Sequence, residues 1–576
     1  MIASCPSRGT RGASAHARKV AIVAVTVCAL PSARAFQIDT GNPDFNLNWD
    51  NSLKYSTAFR VKSRSPTLTA DINQDDGDRN FKTGLISNRF DVLSEFDLKY
   101  KTNLGLRVSG AAWYDSVYRS SNDNNSPATA NNLSVPHNEF NTRTRDLHGG
   151  DAELLDGFVF ANESVGGLPT TLRLGRHTLL YGESLFFGNN GIAGGQSAID
   201  AIKLLSVPNS QFKEIIFPVN QVSGQVQLRD NLAVGGYYQL EWRKTRLPSE
   251  GSYFSNADIL EGSERFLLGP VNPRTGIGPA LFRDNDLSPR AAGQGGLQLR
   301  WRPSGHDVEL GLYAIRYHEK VPQLYLIPSA AVVPQVGLVV FDPANFDPSI
   351  GKFGRYQLVY PENIKAFGAS FSTEVGDANV AGEVSARRNT PLVSDPTIVG
   401  VTVPVGSRGD DDNHPLYAVG NSLHAQLSTI YVVPPTWLWK SANFLGEIAW
   451  NRRTSISKNP EALAANSSRD AWALRFTIEP TWYQVLPGLD LSAPSGLGYS
   501  AHGNSSVVPA FNPGGKEGGD LSIGLKGVYL QVWNMGLNYT HYFGSEGTAV
   551  NSRGQFSFRQ SLADRDFVSL SIQRTF

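Results

Sequence analysis

Residues 45–61 read FNLNWDNSLKYSTAFRV, with Phe45, Leu47, Trp49, Leu53, Tyr55, Phe59 and Val61 on one parity and Asn46, Asn48, Asp50, Ser52, Lys54, Ser56 and Arg60 on the other. Successive side chains of a strand point to opposite faces, so the pattern describes one apolar and one polar face. Strands of soluble proteins typically run about 5–6 residues and seldom pass ~10. An alternation over 17 residues asks for surroundings that stay apolar on one side and wet on the other. A transmembrane antiparallel β-barrel meets that demand, because a closed sheet leaves no unpaired edge in lipid.

The same unit recurs along the chain. Phe90, Val92, Phe96, Leu98 and Tyr100 oppose Arg89, Asp91, Glu95, Asp97 and Lys99; after a turn at 101–103, Leu104, Leu106, Val108 and Tyr114 oppose Arg107, Ser109 and Asp115. Further copies set Leu232, Val234, Tyr238, Leu240 and Trp242 against Gln239, Glu241 and Arg243. Val380 and Val384 stand against Glu383, Ser385 and Arg387, and Trp472, Leu474, Phe476, Ile478 and Trp482 against Arg475, Thr477 and Glu479. A soluble sheet with one face on a core alternates too. The connections separate the two cases: short ones at 101–103, 303–307, 376–377 and 487–488 alternate with long polar ones at 62–84, 119–149, 248–295, 319–362 and 392–420. Short turns on one rim and long loops on the other are the layout of an outer-membrane barrel.

Pairing the segments gives an all-β fold of about 18 strands, an even number that returns the C-terminus to the periplasmic rim. Two faint segments, 222–228 and 489–500, leave 16 open. In DFVSLSIQRTF, Val568, Leu570, Ile572 and Phe576 are the apolar residues that mark the last strand, while Arg574 stands where a further aromatic or aliphatic residue is expected.

The first 35 residues set the compartment. Arg8, Arg11, Arg18 and Lys19 precede an 11-residue apolar run, VAIVAVTVCAL, and Ala33-Arg34-Ala35 offers a signal-peptidase cut before Phe36. The run is too short to span a bilayer as a helix, which takes about 20 residues. The reading is a secretory signal at 1–35 and one barrel domain at 36–576. Both cysteines, Cys5 and Cys28, leave with the signal, which excludes disulfides and thiolate chemistry from the mature chain. Five of the 52 basic residues and none of the 52 acidic ones lie in the signal, so 47 face 52 and the net charge is −5. That balance argues against a nucleic-acid partner, which calls for a basic stripe. Outer-membrane lipid and lipopolysaccharide are the expected surroundings.

Several segments in order resemble the proteobacterial outer-membrane family known as domain of unknown function 1302: AELLDGFVFAN at 152–162, LRLGRHTLLYGESLFF at 172–187, the stretch 212–255 containing Glu241-Trp-x-Lys-Thr-Arg, and YPENIKAFGASFS at 360–372. The family commonly reads Gly-Arg-Gln and Trp-Gly-Glu-Ser where this chain has Gly175-Arg176-His177 and Tyr181-Gly182-Glu183-Ser184. The resemblance implies an outer-membrane barrel of unassigned substrate. It also implies an association with a periplasmic partner, with resistance-nodulation-division type exporters, and with the passage of hydrophobic or amphipathic molecules.

Residues 181–218 are too long for a turn and too apolar for an exposed loop. Ile199, Ile202 and Leu205 have near-helical spacing, with Asp200 and Lys203 elsewhere around the turn, which predicts a short helix. Folded inward, the segment plugs or narrows the lumen; the alternative is a loop packed over the rim. Arg173, Arg176, Glu183, Lys203 and Glu214 are the candidate constriction residues, since charged rings set pore selectivity. Glu95, Asp97, Lys99, Arg107, Gln239, Glu241 and Arg243 are the expected pore lining, because Arg or Lys on the lipid face near the midplane costs about 2–4 kcal/mol.

The leading reading is a non-enzymatic channel or conduit for hydrophobic or amphipathic small molecules. A non-transporting docking component of an envelope complex is the alternative. A third is a barrel hydrolase built on His541, Ser545 and Glu546, although no G-x-S-x-G turn accompanies them. No cofactor fingerprint or metal motif is present; Asp410, Asp411 and Asp412 offer oxygen ligands of the type Ca²⁺ takes, or a solvated loop.

Overall fold

A computed structural model describes residues 36–208, 210, 212–333, 338–399, 409–511 and 514–576. The signal segment and its cut after Ala35 lie outside the described residues. Eighteen antiparallel strands form the wall: β1 Phe45–Arg60, β2 Gly84–Tyr100, β3 Leu104–Asp115, β4 Gly150–Val165, β5 Leu168–His177, β6 Val219–Arg229, β7 Leu232–Gln239, β8 Gln294–Trp301 and β9 Val308–Tyr317. There follow β10 Ile364–Val375, β11 Ala378–Pro391, β12 Val419–Val433, β13 Ser441–Lys458, β14 Asp470–Leu486, β15, β16 Gly519–Tyr529, β17 Trp533–Phe543 and β18 Phe567–Thr575. Strand β15 runs in two pieces, Leu489–Ser492 and Ser495–His502, because Pro494 between them has no N–H for the ladder. Each strand pairs with its sequence neighbours, and β18 closes on β1 from Ser52↔Thr575 to Arg60↔Phe567. The count is 18, and both faint segments are strands.

The wall is inside-out relative to a soluble barrel. Leu297, Leu312, Val384, Leu427 and Ile448 point outward and are more than half exposed, while Glu383, His424, Glu447 and Asn451 on the inner parity are buried. An unbroken exposed apolar band is unstable in water and is what hydrocarbon solvates. Aromatic residues ring it: Phe45, Trp49, Trp301 and Tyr529 toward the short-turn rim, and Phe59, Phe90, Tyr114, Tyr238 and Trp472 toward the other. The Arg574 departure has a local reason. It lies outward at the short-turn rim directly opposite Trp533, with its guanidinium 5.2 Å from the indole centroid, so the charge stays at the interface while its stem covers apolar surface.

All nine connections on one rim are long, and several of them pack together into a dome. Its frame is a five-stranded sheet of Arg265–Leu267, Ala280–Arg283, Gln323–Pro328, Lys352–Val359 and Thr397–Ile398. Buried Arg60 ties the dome to the wall, pairing with Asp78 at 2.6 Å and Asp564 at 2.8 Å. Arg265, also buried, donates to the carbonyls of Ala130, Asn131, Asn132 and Gly276.

Candidate functional site

Eighteen tilted strands spaced ~4.8 Å apart enclose a lumen roughly 35 Å across between backbones, too wide for wall side chains to fill. The described residues of 178–218, between β5 and β6, fold into it. The predicted helix is present at Ala201–Ser206, N-capped by Asp200, whose carboxylate accepts from Lys203 N at 2.9 Å. A second short helix, Phe212–Ile215, follows it. The segment is held at both ends of its crossing.

On the far wall, two buried carboxylates receive backbone donors. Glu383 of β11 accepts from Glu183 N at 3.0 Å and from Ile192 N at 2.5 Å. Glu447 of β13 accepts from the amides of Phe186 and Phe187 and, at 3.1 Å, from Ser184 Oγ. Arg387 of β11 donates to the carbonyls of Asn189, Asn190 and Gly191 at 2.7–3.0 Å. Asn190, 1 % exposed, is hydrogen-bonded to His424, Asn451, Gln426 and two backbone carbonyls. Gly182 has φ +92°, and a Cβ there would collide with the Glu383 carboxylate, so only glycine admits this grip. Between the two walls, Tyr181 and Ile192 pack on Tyr237, Tyr313, Ile315 and Tyr317.

On the near wall, side-chain ion pairs do the holding. Lys203 meets Glu153 of β4 at 3.3 Å, Glu214 meets Lys54 of β1 at 3.6 Å, and Lys213 meets Glu95 of β2. Glu153 also takes Arg243 at 3.2 Å and Arg246 at 2.7 Å, and both guanidiniums stack on Phe217.

The sequence-predicted residues fall into three groups. Glu95, Asp97, Lys99, Arg107 and Gln239 lie on the inner parity; Arg107 bridges Glu95, Asp97 and Asp156, and Gln239 donates to Gln196 O in the segment. Glu183, Lys203 and Glu214 belong to the segment itself, with buried Lys203 and half-buried Glu214 serving as anchors. The remaining assignments need correction. Strand β7 ends at Gln239, so Glu241 and Arg243 are loop residues rather than strand lining: the chain bends at Leu240 because Arg243 and Arg246 are drawn to Glu153. The ladder runs unshifted from Arg173↔Ser223 to His177↔Val219, which puts Arg173 inward. Arg176 lies outward beside Leu174, at the rim, paired with Glu241 at 2.9 Å rather than standing in the constriction.

Glu383, Arg387, Glu447, Glu153 and Asn190 were not singled out from the sequence as site residues. Glu383 and Arg387 were legible as inner-face residues, but nothing local says what they grip.

The hydrolase grouping is not assembled. His541 lies outward and is hydrogen-bonded to Asp566 at 2.7 Å, and among the described residues no serine or threonine hydroxyl is bonded to it. Asp410 accepts from Asp412 N and His414 N within its own loop. Among the described residues no three His, Cys, Asp or Glu side chains are grouped to hold a metal ion.

The model of a family described as protein of unknown function (DUF1302) matches residues 16–576. The chain belongs to this family. Three of the motifs that carry the DUF1302 resemblance supply anchors just described: Tyr-Gly-Glu-Ser meets Glu383 and Glu447, Lys213-Glu214 meets Glu95 and Lys54, and Arg246 meets Glu153. No curated protein matches the sequence. Solved structures similar to this DUF1302 chain include OccAB1 of Acinetobacter baumannii, at 9 % identity over 95 % of this chain and 99 % of that one, with a TM-score of 0.42. The outer membrane channel DcaP of the same organism follows at 8 % identity, 94 % and 100 % coverage and a TM-score of 0.37. OccD3 (OpdP) of Pseudomonas aeruginosa has 10 % identity, 94 % and 93 % coverage and a TM-score of 0.37. The barrel assignment rests on the closed strand ladder itself.

Proposed function

We propose that this DUF1302 protein is an outer-membrane channel for hydrophobic or amphipathic small molecules, narrowed at mid-height by residues 178–218. The observation that carries the reading is the crossing itself. A loop that leaves the wall between β5 and β6 is fixed by Glu383, Arg387 and Glu447 on β11 and β13 and by Lys54, Glu95 and Glu153 on β1, β2 and β4. Such an element restricts a lumen without closing the wall, and charged side chains beside it set what passes. The mature chain, from Phe36 onward, sits in the outer membrane of a Gram-negative cell after signal cleavage, in contact with lipopolysaccharide.

The test compares that chain with a variant lacking residues 188–206, in planar-bilayer conductance and in liposome uptake of a hydrophobic dye. Unitary conductance or uptake that rises on deletion supports a channel constricted by this segment. Silence from both proteins, with a heat-modifiable folded barrel on a gel, overturns it.

A second reading, a docking component for a periplasmic partner of an exporter of the resistance-nodulation-division type, is favoured by one feature. The turn at 434–440 is the longest on the short-turn rim and presents Trp437 at 91 % exposure beside Leu438. This reading expects Trp437→Ala to abolish co-purification with the partner while leaving conductance unchanged.

A further inference from the structure

Two adjacent rows of inward-facing residues cross the wall below the inward segment, on the side of the short turns. One row reads Lys99, Gly105, Phe160 and Arg173 across β2 to β5; the row above it reads Asp97, Arg107, Phe158 and Gly175. Arg173 lies four residues from His177 along β5, roughly 13 Å toward the periplasmic rim.

Phe160 lies over Gly105, and Phe158 is tilted 47° from it with the ring centroids 6.3 Å apart. A Cβ on Gly105 would collide with the Phe160 ring. Gly175, at φ +122°, would bring a Cβ to 2.9 Å from Phe158 Cα. Both residues lie on the inner parity and are half-buried. The guanidinium of Arg173 sits 5.9 Å from the Phe158 centroid, the placement of a cation held over an aromatic face.

The charges of the two rows differ in how they are used. Arg107 is consumed by Glu95, Asp97 and Asp156. Elsewhere on the lumen wall Arg300 pairs with Glu309, Arg475 with Asp520, and Arg387 is bound to three carbonyls. Asp156, the acid nearest to Phe158 on its strand, also accepts from Ser109 Oγ. Arg173 and Lys99, both exposed to the lumen, have no carboxylate within 4.0 Å among the described residues. Two cations without a carboxylate partner therefore flank a pair of tilted aromatic rings.

We propose that Arg173, Lys99, Phe158 and Phe160 form a subsite for organic carboxylates with a flat apolar or aromatic body, on the periplasmic side of the constriction. The proposal rests on the channel reading and narrows its substrate class to amphipathic anions. Arg173 offers two parallel N–H donors to one carboxylate. The body of the ligand stacks on Phe160 and Phe158, and Lys99 supplies the long-range attraction that draws the anion to the wall.

The test measures binding of benzoate, and of neutral benzamide as its uncharged isostere, to the full mature barrel in detergent by ligand-observed NMR. The same proteins are then assayed for anion-to-cation permeability in bilayers. Arg173→Gln is expected to weaken benzoate about tenfold, the equivalent of one lost charge-assisted contact, and to leave benzamide unchanged. Phe160→Ala weakens both ligands, and Arg173→Lys falls between wild type and Arg173→Gln. Heat-modifiability on a gel verifies that each variant is folded, and Lys99→Gln is a second probe in which loss of benzoate preference supports the same site. Equal benzoate affinity in wild type, Arg173→Gln and Lys99→Gln overturns the subsite, even if the barrel conducts. Arg173-dependent benzoate binding in a barrel that never conducts upholds the subsite and removes the channel reading.

Discussion

The inward segment and the extracellular dome both bury carboxylates, and they satisfy them by different means. Glu383 and Glu447 on the wall have every oxygen occupied by an amide or hydroxyl of residues 183–192. In the dome, Asp75, Asp76, Glu250 and Asp258 are equally buried, but one oxygen each of Asp75, Glu250 and Asp258 has no hydrogen-bond partner. Arg79 pairs with Asp75, while buried Arg265 spends its donors on carbonyls. Burial, reinforced by the neighbouring Asp76, pushes the Asp75 carboxyl up to about 7; burial raises Asp76 to about 6 despite bonds from Asn131 and Asn124. Burial and the surrounding acids carry Glu250 and Asp258 well above the usual carboxylate range. The wall acids hold a loop through donors on every oxygen, whereas the dome acids, crowded against one another, hold theirs less tightly as their protons leave.

The largest effect that would break this contrast is on the wall. Glu383→Ala combined with Glu447→Ala strips acceptors from four backbone amides and the Ser184 hydroxyl, a loss of several kcal/mol at about 1.5–3 kcal/mol per charge-assisted bond. Single-channel recordings should show higher and noisier conductance than wild type. Unchanged conductance would mean that the aromatic packing around Tyr181 holds the segment alone.

Next comes the dome. Its acids bind protons more tightly docked than free, so docking is most stable below about pH 4 and weakens as pH rises through the docked pKa values, about 6 for Asp76 and about 7 for Asp75. For Asp76 alone the change is on the order of 3 kcal/mol. Amide exchange in residues 61–83 and 240–293, corrected for intrinsic rates, should therefore be faster at pH 8 than at pH 5, and Asp76→Asn with Glu250→Gln should flatten the difference. Slower exchange at pH 8 would assign the cluster to something other than shared protons.

A smaller effect sharpens the near-wall half of the comparison. Arg246→Met leaves Glu153 with Lys203 and Arg243, so we expect a loss of about 1–2 kcal/mol in urea unfolding from bilayers and little change in conductance. Smallest is the rim pair: Arg176→Gln should alter stability by less than about 1 kcal/mol and conductance not at all. A conductance change there would return Arg176 to the constriction.

The wall was legible because one rule repeats at every strand. Lipid outside and water inside impose a period of two, and the alternation of short and long connections states the topology, so Glu95, Asp97, Lys99 and Arg107 could be set inward from sequence. The rule fails where alternation stops. At Leu240 the chain leaves the ladder to follow Arg243 and Arg246 to Glu153, and at Gly175 a positive φ hid the unbroken register that turns Arg173 inward and Arg176 outward. The short helix could be predicted from Ile199, Ile202 and Leu205, but not its seat.

The chain by itself determined the barrel and the inner face of its regular strands and narrowed the strand count to 18 or 16, since these follow from local alternation and turn length. Only the tertiary structure decided that residues 178–218 reach Glu383 and Glu447, about 200 to 260 residues away. It also decided which lumen arginines are consumed by carboxylates and which remain available. Pairing across a closed sheet depends on how strands far apart in sequence meet around the lumen, and no local pattern records that distance.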